Sequence, residues 1–163
     1  MTSTDDSAQA PARDMQPWLD SYSADHQHPT NRVLHWICVP LILWCAIAIM
    51  WTIPVPPMIG RPGFWAVAAL VLAFMWYWKH SRRLGGALLI ALALFAILTE
   101  LAYRQLGPGT LRLTALGVFI VAWIGQFIGH AIEGRRPSFL TDLAYLLVGP
   151  AWLMDKLLRR VGL

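Results

Sequence analysis

Apolar residues run along this chain in four long blocks separated by short polar or proline-rich breaks. The first covers about 33–53 and contains no Asp, Glu, Lys or Arg. The second covers about 62–78; its uncharged centre, Phe64–Trp78, is short, and Pro62 and Gly63 can add a turn. The third, about 84–103, carries Glu100 one helical turn before Arg104, and the fourth covers about 113–132. A helix that crosses a bilayer needs about 17–25 residues, so these blocks predict four transmembrane helices. A fifth stretch, Leu143–Met154, is too short to span and holds Gly149-Pro150. It predicts an interfacial or re-entrant helix over about 139–158. Ahead of the first block, Met15–Asp25 predicts a short helix with Trp18, Leu19 and Tyr22 on one face, after which Pro29 breaks the chain. Residues 1–14 are small, polar and acidic and read as a disordered tail. The expected fold is an all-α integral membrane protein. Residues 15–163 form a single membrane domain of four transmembrane helices with short N-terminal and C-terminal interfacial helices.

Composition sharpens that picture. Of 163 residues, 57% are hydrophobic and 13% charged, and the mean hydropathy is +0.52. Soluble domains carry about 25% charged residues, and a domain of this size cannot hide so much apolar surface in one core. A disordered chain and a disulfide scaffold are excluded. Cys38 and Cys45 stand two helical turns apart, roughly 10 Å along an axis, beyond the roughly 7 Å limit for a disulfide, and read as buried packing residues. No basic segment precedes an apolar one at the N-terminus, so no cleavable secretion signal is expected.

The net charge of +4 does not indicate nucleic acid, because the basic residues flank apolar blocks instead of gathering on a soluble module. Four spans would put Arg13, Arg32, Lys79, Arg82, Arg83, Arg135, Arg136, Lys156, Arg159 and Arg160 on one side. Only Arg61, Arg104 and Arg112 fall on the other. The bias places both termini in the cytoplasm, and the expected location is a bacterial inner membrane. Trp36, Trp76 and Trp78 would mark the inner interface, and Trp51, Trp65 and Tyr103 the outer one.

The same topology gathers all five histidines, His26, His28, His35, His80 and His130, at the cytoplasmic end. Histidine is the commonest metal ligand, and ionisable groups at membrane level point to function. Tyr22 and His26 are four apart, as are Asn31 and His35, so each pair shares a helix face on its side of Pro29. At the end of the fourth block, Gln126, His130 and Glu133 form one stripe. Gly125-x3-Gly129 beside it predicts close helix packing. Glu133 can equally pair with Arg135 or Arg136. His28, next to Pro29, and His80, in Lys-His-Ser-Arg-Arg, read as interfacial loop residues. Two or three imidazoles with a carboxylate suit non-haem Fe(II). There is no H-E-x-x-H, C-x-x-C-H, glycine-rich phosphate loop or G-x-S-x-G motif.

Two blocks carry a resemblance. Y-S-A-D-H-Q-H-P-T-N-R-V-L-H-W-I-C-V-P, from Tyr22 to Pro40, and Q-F-I-G-H-A-I-E-G-R-R-P-S, from Gln126 to Ser138 and on to Gly149-Pro150, resemble the 2-hydroxy fatty acid dioxygenases. The likeness covers about residues 15–155, with the second and third apolar blocks matching only as filler. It implies an Fe(II)-dependent membrane enzyme that uses O2 to shorten 2-hydroxy fatty acids by one carbon, an α-oxidation. The fungal relative does so in the endoplasmic reticulum during phytosphingosine breakdown. The family's histidines map onto His26, His35 and His130, with Asn31, Gln126 and Glu133 around them; Cys38 stands where a glycine is common. On this reading His26, His35 and His130 hold the metal, Glu133 is a fourth or supporting ligand, and Tyr22, Asn31, Gln126, Arg32 and Arg135 surround metal or substrate. Membrane lipid and O2 are the other partners. The rival readings are a non-catalytic scaffold or carrier and a b-type haem protein with two axial histidines.

Overall fold

The computed structural model describes residues 15–136 and 145–163. The expected tail (1–14) and the start of the expected helix over 139–158 lie outside the described residues. Among the described residues the chain is helical, with no strand. Helix α1 (Gln16–Ala24) buries Leu19 and Tyr22. Helix α2 (Pro29–Trp51) starts ahead of the first apolar block. Pro29 occupies its first turn, where a missing amide donor is harmless. The His28 side chain caps this end by accepting from the Thr30 amide at 3.2 Å.

Helices α3 (Phe64–His80) and α4 (Arg82–Glu133) meet at Ser81, whose hydroxyl accepts from the Leu84 amide. Their close approach needs Gly85, because a Cβ there would stand 2.9 Å from the Trp78 Cα. Helix α4 is broken at Gly107 (φ 74°, ψ 165°), followed by Pro108. Glycine alone adopts such an angle without strain. Residues 82–106 and 108–133 are therefore two legs. Arg83 on the first leg and Glu133 on the second both reach the end of the bundle that holds α1 and α5 (Tyr145–Arg160), so the chain reverses at Gly107. The helices fall where the four apolar blocks lie. Of them, α2 and α4 are long and apolar enough to cross a membrane, while α3 has 17 residues.

The second leg of α4 packs against α2 through its glycines. A Cβ on Gly125 would meet the Cys38 sulfur at 2.8 Å, and one on Gly129 would meet Asn31 Oδ1 at 2.3 Å. This is the close packing that the Gly-x3-Gly spacing predicts. Both cysteines are buried and free. At the far end, Trp51 is buried in the bundle. Its indole donates to Glu100 Oε2 at 3.0 Å, and Arg104 pairs with Glu100 Oε1 at 2.6 Å. The outer faces stay apolar, with Ile90 73% and Leu113 71% exposed.

Helix α5 runs through Gly149-Pro150 without a break and lies across the α1 end of the bundle. Trp152 Nε1 donates to Ser23 Oγ at 2.7 Å, Tyr77 donates to the Leu147 carbonyl at 2.8 Å, and Asp155 takes both Arg159 and Arg83. Gly129→Ala forces Asn31 or a helix to move. It is expected to cost about 1–3 kcal/mol of stability, measured as a lower denaturant midpoint in detergent.

Candidate metal centre

Three histidines from distant parts of the chain meet where α1, α2, the second leg of α4 and α5 converge. His26 sits in the turn between α1 and α2, His35 two turns into α2, and His130 near the end of α4. All three are buried. One ring nitrogen from each lies within 4.8 Å of the others. The ring centroids are 4.2, 5.0 and 5.1 Å apart.

The backbone sets the proton on two of these rings. His26 Nδ1 lies 2.5 Å from the Tyr22 carbonyl oxygen and His35 Nδ1 lies 2.9 Å from that of Asn31. A carbonyl oxygen can only accept, so each Nδ1 carries the hydrogen. Each Nε2 then presents a lone pair, and the two Nε2 atoms are 2.9 Å apart. Two lone pairs at that distance repel unless a proton or a cation lies between them. Burial is the largest influence on His26 and lowers its pKa against the opposing pull of the Tyr22 carbonyl, Asp25 and Glu133. That disfavours the proton. His130 Nδ1 is buried and has no hydrogen-bond partner among the described residues. Three buried imidazoles with a ring nitrogen each to spare could form a donor set for a transition-metal ion.

Tyr22 stacks on His26, with centroids 4.1 Å apart and planes 15° apart, and Trp152 packs near both. Burial pushes the Tyr22 phenol above its ordinary pKa, so it stays protonated.

Glu133 does not join the nitrogen cluster. Its Oε1 accepts from the Gln27 amide at 2.9 Å, and its Oε2 accepts from the His28 amide at 2.8 Å and from Asn31 Nδ2 at 3.1 Å. This carboxylate clamps the His26 turn and the start of α2 to the last turn of α4. Negative charge is also favoured at the N-terminus of α2. Glu133 pairs with neither Arg135 nor Arg136 in the structure. Arg135 pairs with Asp25 at 2.7 Å, closing the same turn from outside, and Arg32 is exposed. His28 is the α2 cap, and His80 bonds the Trp76 carbonyl at 2.7 Å; both stand outside the cluster. Trp152 was not legible as a site residue, because a tryptophan in an amphipathic helix carries no signal of a distant partner.

A cavity of about 310 Å³ opens beside the histidines. Tyr22, His35, Gln126 and His130 line one end, and apolar side chains of α2, α4 and α5 line the rest. The Gln126 amide nitrogen is buried there with no partner among the described residues.

The fold and site define a helical protein with a buried three-histidine centre and an apolar cavity leading from it. A family model described as "2-hydroxy-palmitic acid dioxygenase Mpo1-like" matches residues 12–161, and the chain belongs to that family. It is similar to the 2-hydroxy-palmitic acid dioxygenase MPO1 of Saccharomyces cerevisiae. The two are 28% identical over 152 residues, covering 91% of this chain and 82% of the yeast protein. No solved structure matches. Membership supports an oxidoreductase of lipid metabolism.

Two outcomes test the centre. Removing the clamp with Glu133→Ala is expected to weaken Co(II) binding about 10–100-fold, measured by titration against a competing chelator. Because His26 resists protonation when folded, the unfolded chain binds one proton more once the pH falls below the ordinary value of 6.5. Metal-free protein is expected to lose stability over that fall, read from denaturant midpoints at about pH 7.5 and about pH 5.5.

Proposed function

We propose that the protein is an Fe(II)-dependent membrane dioxygenase that shortens 2-hydroxy fatty acids by one carbon. The observation that carries this reading is the pair of Nε2 lone pairs 2.9 Å apart, with His130 beside them. His26, His35 and His130 would hold the ion. The family to which the chain belongs, and the named activity of its yeast relative, support the substrate class and the use of O2. A ferrous ion bound there would supply activation of O2 and the electrons exchanged with it.

The protein's own residues do the rest. The Tyr22 and Asn31 carbonyls fix the ring orientations of His26 and His35, and Glu133 holds the turn that carries His26. Gln126 and the protonated Tyr22 offer donors to the substrate's carboxylate and hydroxyl oxygens. Arg32 and the exposed Arg135 and Arg136 attract anionic head groups to this face. The apolar walls exclude water from the C1–C2 bond that breaks. The stoichiometry closes when 2-hydroxy acid and O2 yield the acid one carbon shorter, carbon dioxide and water.

The chain is read as crossing the membrane four times, by α2, α3 and the two legs of α4, with both termini cytoplasmic in a bacterial inner membrane. The apolar outer faces and the excess of basic residues at the α1/α5 end support this reading. A bis-histidine haem is not favoured. Axial ligands stand on opposite sides of a macrocycle, and His26 and His35, with Nε2 atoms 2.9 Å apart, are too close to serve as that pair. A scaffold role would leave three buried imidazoles and their clamp without a purpose.

The test is aerobic turnover of 2-hydroxypalmitate with Fe(II), with pentadecanoic acid as the expected product. His130→Ala is expected to abolish turnover, and His28→Ala to keep most of it. Unchanged turnover in His130→Ala, or no turnover by the parent protein, would overturn the reading.

A further inference from the structure

The cavity beside the histidines has a polar end and an apolar end; α5 closes it near Tyr22, and two facing helical stripes form its long walls. On α2 the lining residues are His35, Val39, Ile42, Leu43 and Ala46; on α4 they are His130, Gln126, Trp123 and Phe119. Each stripe advances by three or four residues, as one helix face does. From His35 to Ala46, and from His130 back to Phe119, the depth is roughly 16 Å at 1.5 Å per residue. That is comparable with the extended tail of palmitic acid. Among the described residues no charged side chain lines the cavity beyond the histidines. It therefore suits a molecule with a polar group at one end only. Ile42, Leu43, Ala46, Trp123 and Phe119 are half-buried, so the slot meets the apolar outer surface along its side.

We propose that this cavity is an acyl-length gauge. A single-tailed lipid slides in from the bilayer between α2 and the second leg of α4, and Ala46 facing Phe119 sets the longest tail admitted. The inference rests on reading the histidine centre as the site of the 2-hydroxy acid head group. Gln126 meets the head group at the top of the slot. Ala46 and Phe119 line the end of the slot farthest along both helices from the histidines, one small and one bulky.

The experiment uses full-length protein in nanodiscs with Fe(II) and a series from 2-hydroxydecanoate through 2-hydroxypalmitate to 2-hydroxystearate. Ala46→Phe is expected to lower the ratio of kcat/KM for 2-hydroxypalmitate over 2-hydroxydecanoate by about tenfold or more, the size of effect that methylene-scale fit produces. Phe119→Ala is expected to move the same preference toward 2-hydroxystearate. Active variants with the parent's chain-length profile would overturn the gauge. A second arm separates this inference from the function on which it rests. Straight-chain fatty acids without the hydroxyl compete with a fluorescent fatty acid for the metal-free protein. If the parent turns over no 2-hydroxy acid but Ala46→Phe still rejects the longer competitors, the enzymatic reading fails and the gauge stands. If neither variant changes competition by chain length, or if only a two-tailed phospholipid displaces the probe, the gauge fails.

Discussion

Two imidazole nitrogens, each with its lone pair exposed, face one another across 2.9 Å in a buried site. Everything else around the centre depends on this confrontation. It exists because the Tyr22 and Asn31 carbonyls have already taken the opposite ring nitrogens of His26 and His35. Turning either ring would take the Nδ1 hydrogen away from its carbonyl acceptor and leave buried polar groups unpaired, a loss of about 1–3 kcal/mol. Charging the His26 ring is opposed by burial. The backbone therefore holds the pair in a state that a metal ion relieves.

The fold supplies that constraint from both ends of the sequence. The short α1 helix ends in the turn that carries His26, α2 begins at Pro29 and raises His35, and α4 returns at its last turn with His130 and Glu133. Gly129 has no side chain, which lets Asn31 approach α4. Asn31 then serves three groups: its carbonyl meets His35, its amide nitrogen meets Glu133, and its Oδ1 rests against the glycine. Helix packing and the placement of the histidines are thus set by the same contact.

Much of this was legible in the sequence, and the reasons differ by residue. Apolar blocks announced the helices because apolar faces need length and little else. His26, His35 and His130 stood out because imidazoles are rare beside apolar runs. Glu133 was placed in the right neighbourhood with an ambiguous partner, since its bonds go to the Gln27 and His28 amides, more than a hundred residues away. Main-chain donors leave no mark in side-chain spacing. Trp51 looked like an interfacial tryptophan, but its ring is buried and its indole donates to the half-buried Glu100. The cavity was invisible, because Ala46, Phe119 and Trp123 are indistinguishable from packing residues until their facing helices are known.

The clamp has a consequence for biosynthesis. Gln27 and His28 leave the ribosome long before Glu133 does, so the nascent chain carries two of the imidazoles without the third and without the carboxylate that fastens their turn. The turn that carries His26 therefore stays unfastened until the last leg of α4 has been synthesised and has docked against α2. The three imidazoles come together only at that point, so the nitrogen set that could hold an ion is itself a mark of completed assembly.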